Sequence, residues 1–344
     1  MASLALWCAG CSPSPEGGAP ERVLGEAGSF PGQFSYPRAI DQDSEALWVI
    51  DKSARVQRLD PETGRASVWW RMPDFQLGKP VGVSVARWPG ADGSLVDALI
   101  VPDTHYQRVI IYSLDASNDG SEVADRAIEF APVELARFGR YGTGPGEFIY
   151  PTDAAVLESD DRTRVERLYI SEYGGNDRVS VFDASLVFLF AFGSHGAGAD
   201  QFARPQSIAI DERTRELIIA DSCNHRIGRF TLDGRPLGWV ETPAADGPTE
   251  GGAFAYPYGV FVLPDSSVLV AEFGSSRVRR VDPRTGRVLG AWGVPGRAPG
   301  QLAAPWGVTW REGELFVLDS GNNRVQVFRG PALRATLAWR GASP

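Results

Sequence analysis

The chain is poor in cysteine, histidine and lysine. Its 344 residues include three cysteines, three histidines and only two lysines, Lys52 and Lys79. Because Cys8 and Cys11 lie at the extreme N-terminus, Cys223 is alone in the body of the chain, which excludes a disulfide framework or a CxxC metal pair there. Schiff-base chemistry likewise has few candidate lysines.

Positive charge is also scarce. The chain has 34 Lys and Arg against 43 Asp and Glu, a formal net charge of −9, and its pI is about 5.0. This balance lacks the basic footprint of a nucleic-acid-binding face, so we expect no nucleic-acid partner. No later segment approaches the ~18 consecutive apolar residues that a membrane span requires.

The N-terminus reads MASLALWCAGCSPSPEGGAP, a short apolar run that ends in small residues and a cysteine. It resembles a bacterial lipoprotein signal, with CAGC as the lipobox and Cys11 as the lipidated residue. The following SPSPEGGAP is typical of a flexible tether. The resemblance implies a secreted, periplasmic or cell-envelope protein whose membrane contact is a lipid anchor at Cys11. The alternative is an ordinary N-terminus.

One phrase recurs six times after residue 22. Each copy has an aromatic residue or leucine three residues before a proline, which we call the blade proline, and an apolar strand follows. The copies are GQFSYP (32–37), FQLGKP (75–80), GEFIYP (146–151), DQFARP (200–205), GAFAYP (252–257) and GQLAAP (300–305).

Each phrase is followed by a second apolar strand that ends in an acid and a third strand that begins with an arginine. These acid–arginine pairs are Asp51 and Arg55, Asp103 and Arg108, Glu172 and Arg178, Asp221 and Arg226, Glu272 and Arg277, and Asp319 and Arg324. A fourth strand then leads to the next glycine-rich loop. Four short strands per unit with turn signals between them predict a propeller blade.

We therefore predict an all-β fold, a single six-bladed β-propeller of four-stranded antiparallel blades over 22–341, preceded by a signal-like segment and linker over 1–21. The predicted blades span about 30–72, 73–139, 140–193, 194–241, 242–293 and 294–341. Both RVLGEAG (22–28) and LRATLAWRG (333–341) have the pattern of an outer strand, although blade 6 needs only one. We expect the C-terminal segment to complete it.

The phrase GxGxGQFxxPxxIAID…LxVADxxNxRIxxF resembles the NHL repeat, and Asn224-His225-Arg226 falls where that family has its naming triplet. The resemblance covers about 22–341 and implies a six-bladed scaffold that mostly serves binding. The stretch IADSCNHRIGRF (219–230) then contains repeat residues, with Cys223 and His225 as additions, although read alone it suggests an active site.

The repeated acids and arginines have two readings. Each acid can accept hydrogen bonds from its arginine and from turn amides, which is a structural role. The alternative is a ring of carboxylates that binds a cation. Repetition in six blades favours the structural role, and we predict no metal or cofactor.

Histidine placement argues against one enzymatic relative. Peptidyl-hydroxyglycine amidating lyases resemble this chain, but they hold their metal with histidines directly after blade prolines. The residues at those positions here are Arg38, Val81, Thr152, Gln206, Tyr258 and Trp306. The three histidines, His105, His195 and His225, occupy other places, and a shared zinc would need them to converge at ~2 Å from one ion.

The residues after the blade prolines begin the innermost strands, so they should surround the channel mouth. We predict ligand binding there by Arg38, Thr152, Gln206, Tyr258 and Trp306. Arg, Tyr and Trp dominate binding hot spots, although these rings could simply cover the opening.

These observations predict a monomeric, non-catalytic binding module of the cell envelope, with a protein, peptide or glycan ligand. The alternative function is a metal-dependent hydrolase or lyase with a cation in the channel. RNA binding, a third possibility, would require the arginines to cluster on one face. The fold alone does not decide among these functions.

Overall fold

The computed structural model describes residues 18–77, 79–114, 127–130, 132–242 and 252–330. These residues form six blades, each built on four antiparallel strands, and contain no α-helix. Accordingly, we find no helix within the described ranges that meets the length and hydropathy of a membrane span. The prediction of an all-β six-bladed propeller is confirmed.

Each blade has an inner, a second, a third and an outer strand. Blade 1 consists of Pro37–Gln42, Leu47–Asp51, Arg55–Leu59 and Ala66–Arg71. Blade 2 consists of Ser84–Pro89, Leu95–Asp103, Arg108–Ser113 and Glu134–Phe138. Blade 3 consists of Tyr150–Glu158, Val165–Tyr173, Arg178–Phe182 and Phe188–Phe192.

The remaining three blades repeat this order. Blade 4 consists of Pro205–Asp211, Glu216–Asp221, Arg226–Thr231 and Pro236–Val240. Blade 5 consists of Pro257–Val262, Val268–Glu272, Arg277–Val281 and Val288–Trp292. Blade 6 consists of Gly307–Arg311, Glu314–Asp319, Arg324–Arg329 and Arg22–Leu24. The short elements are the strands Ile128–Glu129, Val294–Pro295 and Gln301–Leu302 and the 3₁₀ turns Thr104–Tyr106, Ser222–Asn224 and Ser320–Asn322.

The core lies between the blades. Second strands such as Leu47–Asp51 are buried along their whole length, because each blade packs against a neighbour on both faces. Six hydrophobic clusters result, and each joins two adjacent blades. The inner strands contact one another around the ring and surround the axis.

Polar contacts link the inner strands around the axis. Asp41 in blade 1 accepts a hydrogen bond from the backbone N–H of Val85 in blade 2 at 2.7 Å. Asp153 in blade 3 accepts from the backbone of Ile208 in blade 4 at 3.1 Å. Between blades 5 and 6, a Cβ added to Gly259 would lie 2.9 Å from the Cα of Gly307, so only glycine permits this approach.

The ring closes with an N-terminal strand. Arg22–Leu24 pairs antiparallel with Arg324–Arg329, so our expectation that the C-terminal segment completes blade 6 is wrong. Leu24 is buried in the cluster between blades 6 and 1, and Arg22 forms an ion pair with Glu314 at 2.6 Å. These contacts fix the register of this strand. Residues 331–344 lie outside the described residues.

Blade 2 departs from the repeat at its entry. The apolar residue three positions before the blade proline is buried in the other five blades, but Leu77 is 69% exposed. An acidic insertion, DASNDGSEVADRAIEFAPVE (115–134), separates the third strand of blade 2 from its outer strand, and its residues 115–126 lie outside the described residues. After them, Ile128–Glu129 pairs in parallel with the outer strand of blade 1 and adds a fifth strand there.

Two carboxylates beside the axis have raised pKa values. Burial raises the pKa of Asp41 to about 7 and that of Asp153 to about 6, and the negative charge of Asp153 adds to the rise at Asp41. Both side chains keep a little accessible surface, which we attribute to the axial channel, but protein surrounds the carboxylates. The folded protein therefore binds protons here more tightly than the unfolded chain does.

We predict that Asp41→Asn changes how stability depends on pH. The pKa of Asp41 is higher in the folded protein, so its protonation stabilises the fold at low pH. This contribution to the free energy of unfolding is complete below about pH 4 and is lost as pH rises to about 7. As pH rises, the free energy of unfolding of the variant minus that of the wild type should therefore increase by up to about 1.4 kcal/mol per pH unit. This difference should level off above pH 7. Urea unfolding at pH 5, 6, 7 and 8 measures it.

Asp92→Asn is the matched control. Asp92 lies in an exposed turn, and the Ser94 hydroxyl lowers its pKa, so it stays ionised across this range. Its difference from the wild type should be the same at every pH. An equally flat difference for Asp41→Asn would contradict the raised pKa.

Candidate functional site

The six acid–arginine pairs form ion pairs, and we call each one an acid–arginine clamp. In every clamp the acid is buried at the end of the second strand, and the arginine begins the third. The N···O distances are 2.9 Å for Asp51–Arg55, 2.8 Å for Asp103–Arg108, 2.6 Å for Glu172–Arg178, 2.7 Å for Asp221–Arg226, 3.0 Å for Glu272–Arg277 and 2.7 Å for Asp319–Arg324.

The clamps also hold the loop that enters each blade. Arg226 donates to the carbonyls of Ala197, Gly198 and Gln201 in the preceding loop. Asp221 accepts from the backbone N–H of Ala203, two residues before the blade proline. The same backbone contact recurs in four other blades, at Ser35, Ile149, Ala255 and Ala303.

Asn224 and Asn322 complete the clamps of blades 4 and 6. The Asn224 side chain donates to Asp221 and to the carbonyl of Gly196, and Asn322 repeats this arrangement with Asp319 and Gly296. The residues of the repeat signature thus stabilise its loops in these blades.

The backbone fixed by the clamps turns side chains toward the channel mouth. In four blades the residue directly before the blade proline has a left-handed backbone conformation, with φ of 51° at Tyr36, 61° at Arg204, 48° at Tyr256 and 47° at Ala304. In blades 1, 3, 4 and 5, the residue directly after the blade proline is the extra residue of a β-bulge. Bulges re-aim side chains next to functional sites.

A ring of arginine and aromatic side chains surrounds the mouth, and we call it the mouth ring. The Cζ of Arg38 lies 5.1 Å from the Trp306 ring, whose centroid is 4.8 Å from that of Tyr258. The Cζ of Arg204 lies 5.0 Å from Tyr258 and 4.9 Å from Tyr173. Each arginine of the ring therefore lies against one or two aromatic rings, in contacts that are favourable in themselves.

Two more residues close the ring on its other side. Tyr150 packs on Tyr173 with centroids 5.2 Å apart, and His105 packs on Tyr150 at 5.7 Å. Burial lowers the pKa of His105, and the nearby charge of Arg38 lowers it further. The mouth ring thus consists of Arg38, His105, Tyr150, Tyr173, Arg204, Tyr258 and Trp306.

The predicted ligand-binding residues occupy different depths. Arg38, Tyr258 and Trp306 belong to the mouth ring, with the two aromatic residues each 7% exposed. Gln206 is buried and accepts from the Nε of Arg204 at 2.9 Å. Thr152 is fully buried, and its hydroxyl contacts the carbonyls of Ser171 and Pro205.

Sequence reasoning missed Arg204 and Tyr173 in the mouth ring, and the adjoining Tyr36 and Phe273. Arg204 and Tyr36 lie directly before a blade proline. Tyr173 and Phe273 lie directly after a clamp acid. Phe273 stacks on Tyr258 with centroids 4.5 Å apart. The signal was present in the repeat, because both positions have fixed offsets from its proline and acid.

The arginines of the mouth ring lack carboxylate partners among the residues that the structure describes. The Nη1 of Arg38 reaches only the Lys79 carbonyl, at 3.5 Å. Burial lowers the pKa of Arg38, and repulsion from Arg204 adds to this effect. Burial raises the pKa of Tyr36 and Tyr258, so both stay neutral at physiological pH.

Among the residues in the described ranges, three buried hydrogen-bond donors at the mouth find no acceptor. They are the Nε of Arg38, the Nε2 of Gln206 and the Nε1 of Trp306. An unsatisfied buried donor costs about 1–3 kcal/mol, so a ligand that supplies acceptors here recovers this free energy. The rings cover these atoms, which means that binding requires small side-chain rotations.

The residues that suggested an active site have other roles. Burial raises the pKa of Cys223, which disfavours the reactive thiolate. The Nδ1 of His225 accepts from the backbone N–H of Tyr256 at 3.2 Å, and His195 contacts Asp177. Within the described ranges, no three residues of the His, Cys, Asp and Glu types lie together as a metal site.

Comparison with known proteins identifies the repeat. The family model described as NHL repeat matches residues 202–230 and 302–328, which fall in blades 4 and 6. The human E3 ubiquitin-protein ligase NHLRC1 is 27% identical over 203 residues, or 58% of this chain and 46% of that protein. The chain therefore spans about half the length of this curated relative.

Solved structures share the fold. A protein of unknown function from Bacteroides thetaiotaomicron superposes with a TM-score of 0.58 at 17% identity, covering 92% of this chain and 74% of its own. Virginiamycin B lyase from Staphylococcus aureus has a TM-score of 0.52 at 12% identity, covering 89% and 94%. At these identities the likeness shows the fold alone. The chain thus has NHL repeats in blades 4 and 6 of a six-bladed propeller.

Proposed function

We propose that this propeller is a non-catalytic binding module that holds a protein, peptide or glycan at its channel mouth. The observation that carries the proposal is the mouth ring, in which two arginines without carboxylate partners among the described residues lie against aromatic rings, together with three unsatisfied buried donors in and beside the ring. Rigid aromatic and arginine anchors are the usual hot spots of binding surfaces.

A rigid scaffold supports this role. The clamps fix the loops, and the blades bury their apolar residues against each other, so the backbone that carries the mouth side chains is fixed before a ligand arrives. Pre-organisation reduces the entropy lost on binding and so increases affinity.

The alternative function, a hydrolase or lyase with a cation in the channel, receives less support. Its best candidate ligands near the axis are Asp41 and Asp153, and both accept backbone hydrogen bonds from the next blade. Glu172, Asp221 and the other clamp acids are engaged by their arginines.

We expect that elemental analysis of the purified full chain, prepared without chelators or an affinity tag, finds less than stoichiometric metal. The reason is that the candidate carboxylates already have protein donors, which a cation would have to displace. One equivalent of zinc or calcium per chain would instead support the enzyme.

Location in the cell envelope is a further part of the proposal, and the CAGC sequence supports it. A lipid on Cys11 followed by the tether-like SPSPEGGAP would leave the propeller free to meet its ligand away from the membrane surface. We propose that the protein acts there as a monomer.

We predict that Cys11→Ser abolishes membrane anchoring when the chain is expressed with this N-terminus in a bacterial host. The wild type should partition into the detergent phase of a Triton X-114 extraction, because two or more acyl chains anchor a protein stably. Ser14→Ala, which lies outside the CAGC sequence, is the matched control and should partition like the wild type. Recovery of the wild type in the aqueous phase would contradict lipidation.

We predict that Tyr173→Ala weakens ligand binding at the mouth. Peptide-display and glycan-array selections on the full chain supply the ligands, and calorimetry measures their affinity for each variant. Because Tyr173 contacts Arg204 and Tyr150 in the mouth ring, the loss should be about tenfold or more.

Tyr141→Ala controls for the loss of a tyrosine from the same region. Tyr141 is 72% exposed on the loop that enters blade 3, and its removal should leave affinity unchanged. If both variants bind every selected ligand as the wild type does, the mouth is not the binding site.

A further inference from the structure

The channel mouth is locally positive in an acidic protein. In each blade three positions surround the mouth: the residue before the blade proline, the residue after it and the residue after the clamp acid. Across six blades none of these positions is Asp or Glu, although the chain has 43 acids. Four of the positions are basic: Arg38, Lys52, Lys79 and Arg204.

Backbone hydrogen bonds place these positions side by side. The N–H of the residue after the clamp acid donates to the carbonyl before the blade proline, as Ser222 does to Arg204 and Phe273 to Tyr256. Lys52 makes the same contact with Tyr36 at 3.1 Å. Both lysines of the chain therefore lie on the mouth side, although lysine is absent from the rest of the protein.

No residue that the structure describes accepts a hydrogen bond from the buried donors of the mouth. Gln206 and Trp306 are 2% and 7% exposed, and the Nε2 of the first and the Nε1 of the second have no partner. Asp177 contacts only the backbone of Arg204 among the described contacts, and it also accepts from the backbone N–H of Gly175 and contacts His195. An incoming oxyanion would supply the missing acceptors.

The spacing of the mouth ring indicates what the anion is attached to. Arg38, Trp306, Tyr258 and Arg204 follow one another at contacts of 5.1, 4.8 and 5.0 Å. A ligand that fits this order, with two aromatic rings between two arginines, carries its charge and an apolar group only a few bonds apart. The last residue of a peptide has this chemistry, because its carboxylate and its side chain share one Cα.

We propose that the mouth ring binds the free C-terminal carboxylate of a peptide whose last residue is aromatic or apolar. Arg38 and Arg204 hold the carboxylate, and Trp306 and Tyr258 contact the last side chain. The inference rests on the proposed function and specifies its ligand. A polyanion such as nucleic acid fits less well, because the net charge of −9 repels an extended chain of phosphates.

The test compares hexapeptides that end in Phe, Tyr, Trp or Leu as free acids with the same peptides as C-terminal amides. Binding is followed with an environment-sensitive fluorophore on Cys223, in the full chain carrying Cys8→Ser and Cys11→Ser. Cys223 is exposed and lies close enough to Arg204 and Tyr258 to interact with both electrostatically. The acids should bind about tenfold or more tightly than the amides, because charge-assisted hydrogen bonds are lost in the amides.

Arginine variants assign the effect to the mouth. Arg38→Gln and Arg204→Gln should each remove most of the preference for the acid, while Arg204→Lys retains part of it because the charge remains. Arg71→Gln is the matched control, since Arg71 also stacks on an aromatic ring, Phe75, at 5.2 Å, but on an outer strand. Melting temperatures of all variants show whether the fold is retained.

The possible outcomes separate the two proposals. If acids and amides bind equally and Tyr173→Ala weakens both, the mouth is a binding site but the carboxylate inference is wrong. If inorganic phosphate displaces the peptides at lower concentration than acetate does, the anion is a phosphate rather than a carboxylate. If no free acid binds more tightly than its amide, the inference is overturned.

Discussion

The acid–arginine clamp is the interaction on which the site depends. Each clamp joins the second and third strands of a blade, and in most blades it also fixes the loop that enters the blade. In doing so it holds the backbone on both sides of the blade proline, where Tyr36 and Arg204 adopt left-handed conformations. Removing one partner of such a buried pair typically costs about 3–5 kcal/mol. The direction of the mouth side chains therefore follows from contacts outside the mouth itself.

This arrangement separates stability from recognition. The clamp residues are nearly the same in six blades, with only Glu172 and Glu272 replacing Asp, because each performs the same structural task. The residues around the blade prolines differ from blade to blade, from Trp306 to Val81 to Lys79. The six residues directly after the blade prolines are all different, although the backbone that carries them is common to the blades. This lets the mouth be asymmetric on a nearly symmetric scaffold.

The sequence predicted the fold because the repeat is local. Proline, acid and arginine recur at fixed offsets, and every blade can be recognised without its neighbours. The strand that closes blade 6 could not be predicted in this way, because 22–28 and 333–341 have the same pattern and only long-range packing of Leu24 distinguishes the strand that pairs.

The mouth was predicted in part for a similar reason. The residues after the blade prolines are visible in the sequence, and Arg38, Tyr258 and Trp306 do surround the axis. Arg204 and Tyr173 were missed because their orientation depends on backbone conformation and on contacts between blades 3, 4 and 5. The burial of Thr152 also depends on such contacts, since its hydroxyl reaches the carbonyl of Pro205 in the next blade.

Closure by Arg22–Leu24 has a consequence for folding. Its partner strand, Arg324–Arg329, is synthesised last among the described residues. The first strand therefore stays unpaired until roughly 300 further residues have left the ribosome. Until the two strands pair, the apolar face of blade 1 is exposed to other chains. Once blade 6 has been synthesised, its apolar face and the edge of its third strand are exposed as well. Pairing over so large a sequence separation is slow. The most vulnerable period of this protein is therefore the interval between the end of synthesis and the joining of its two ends.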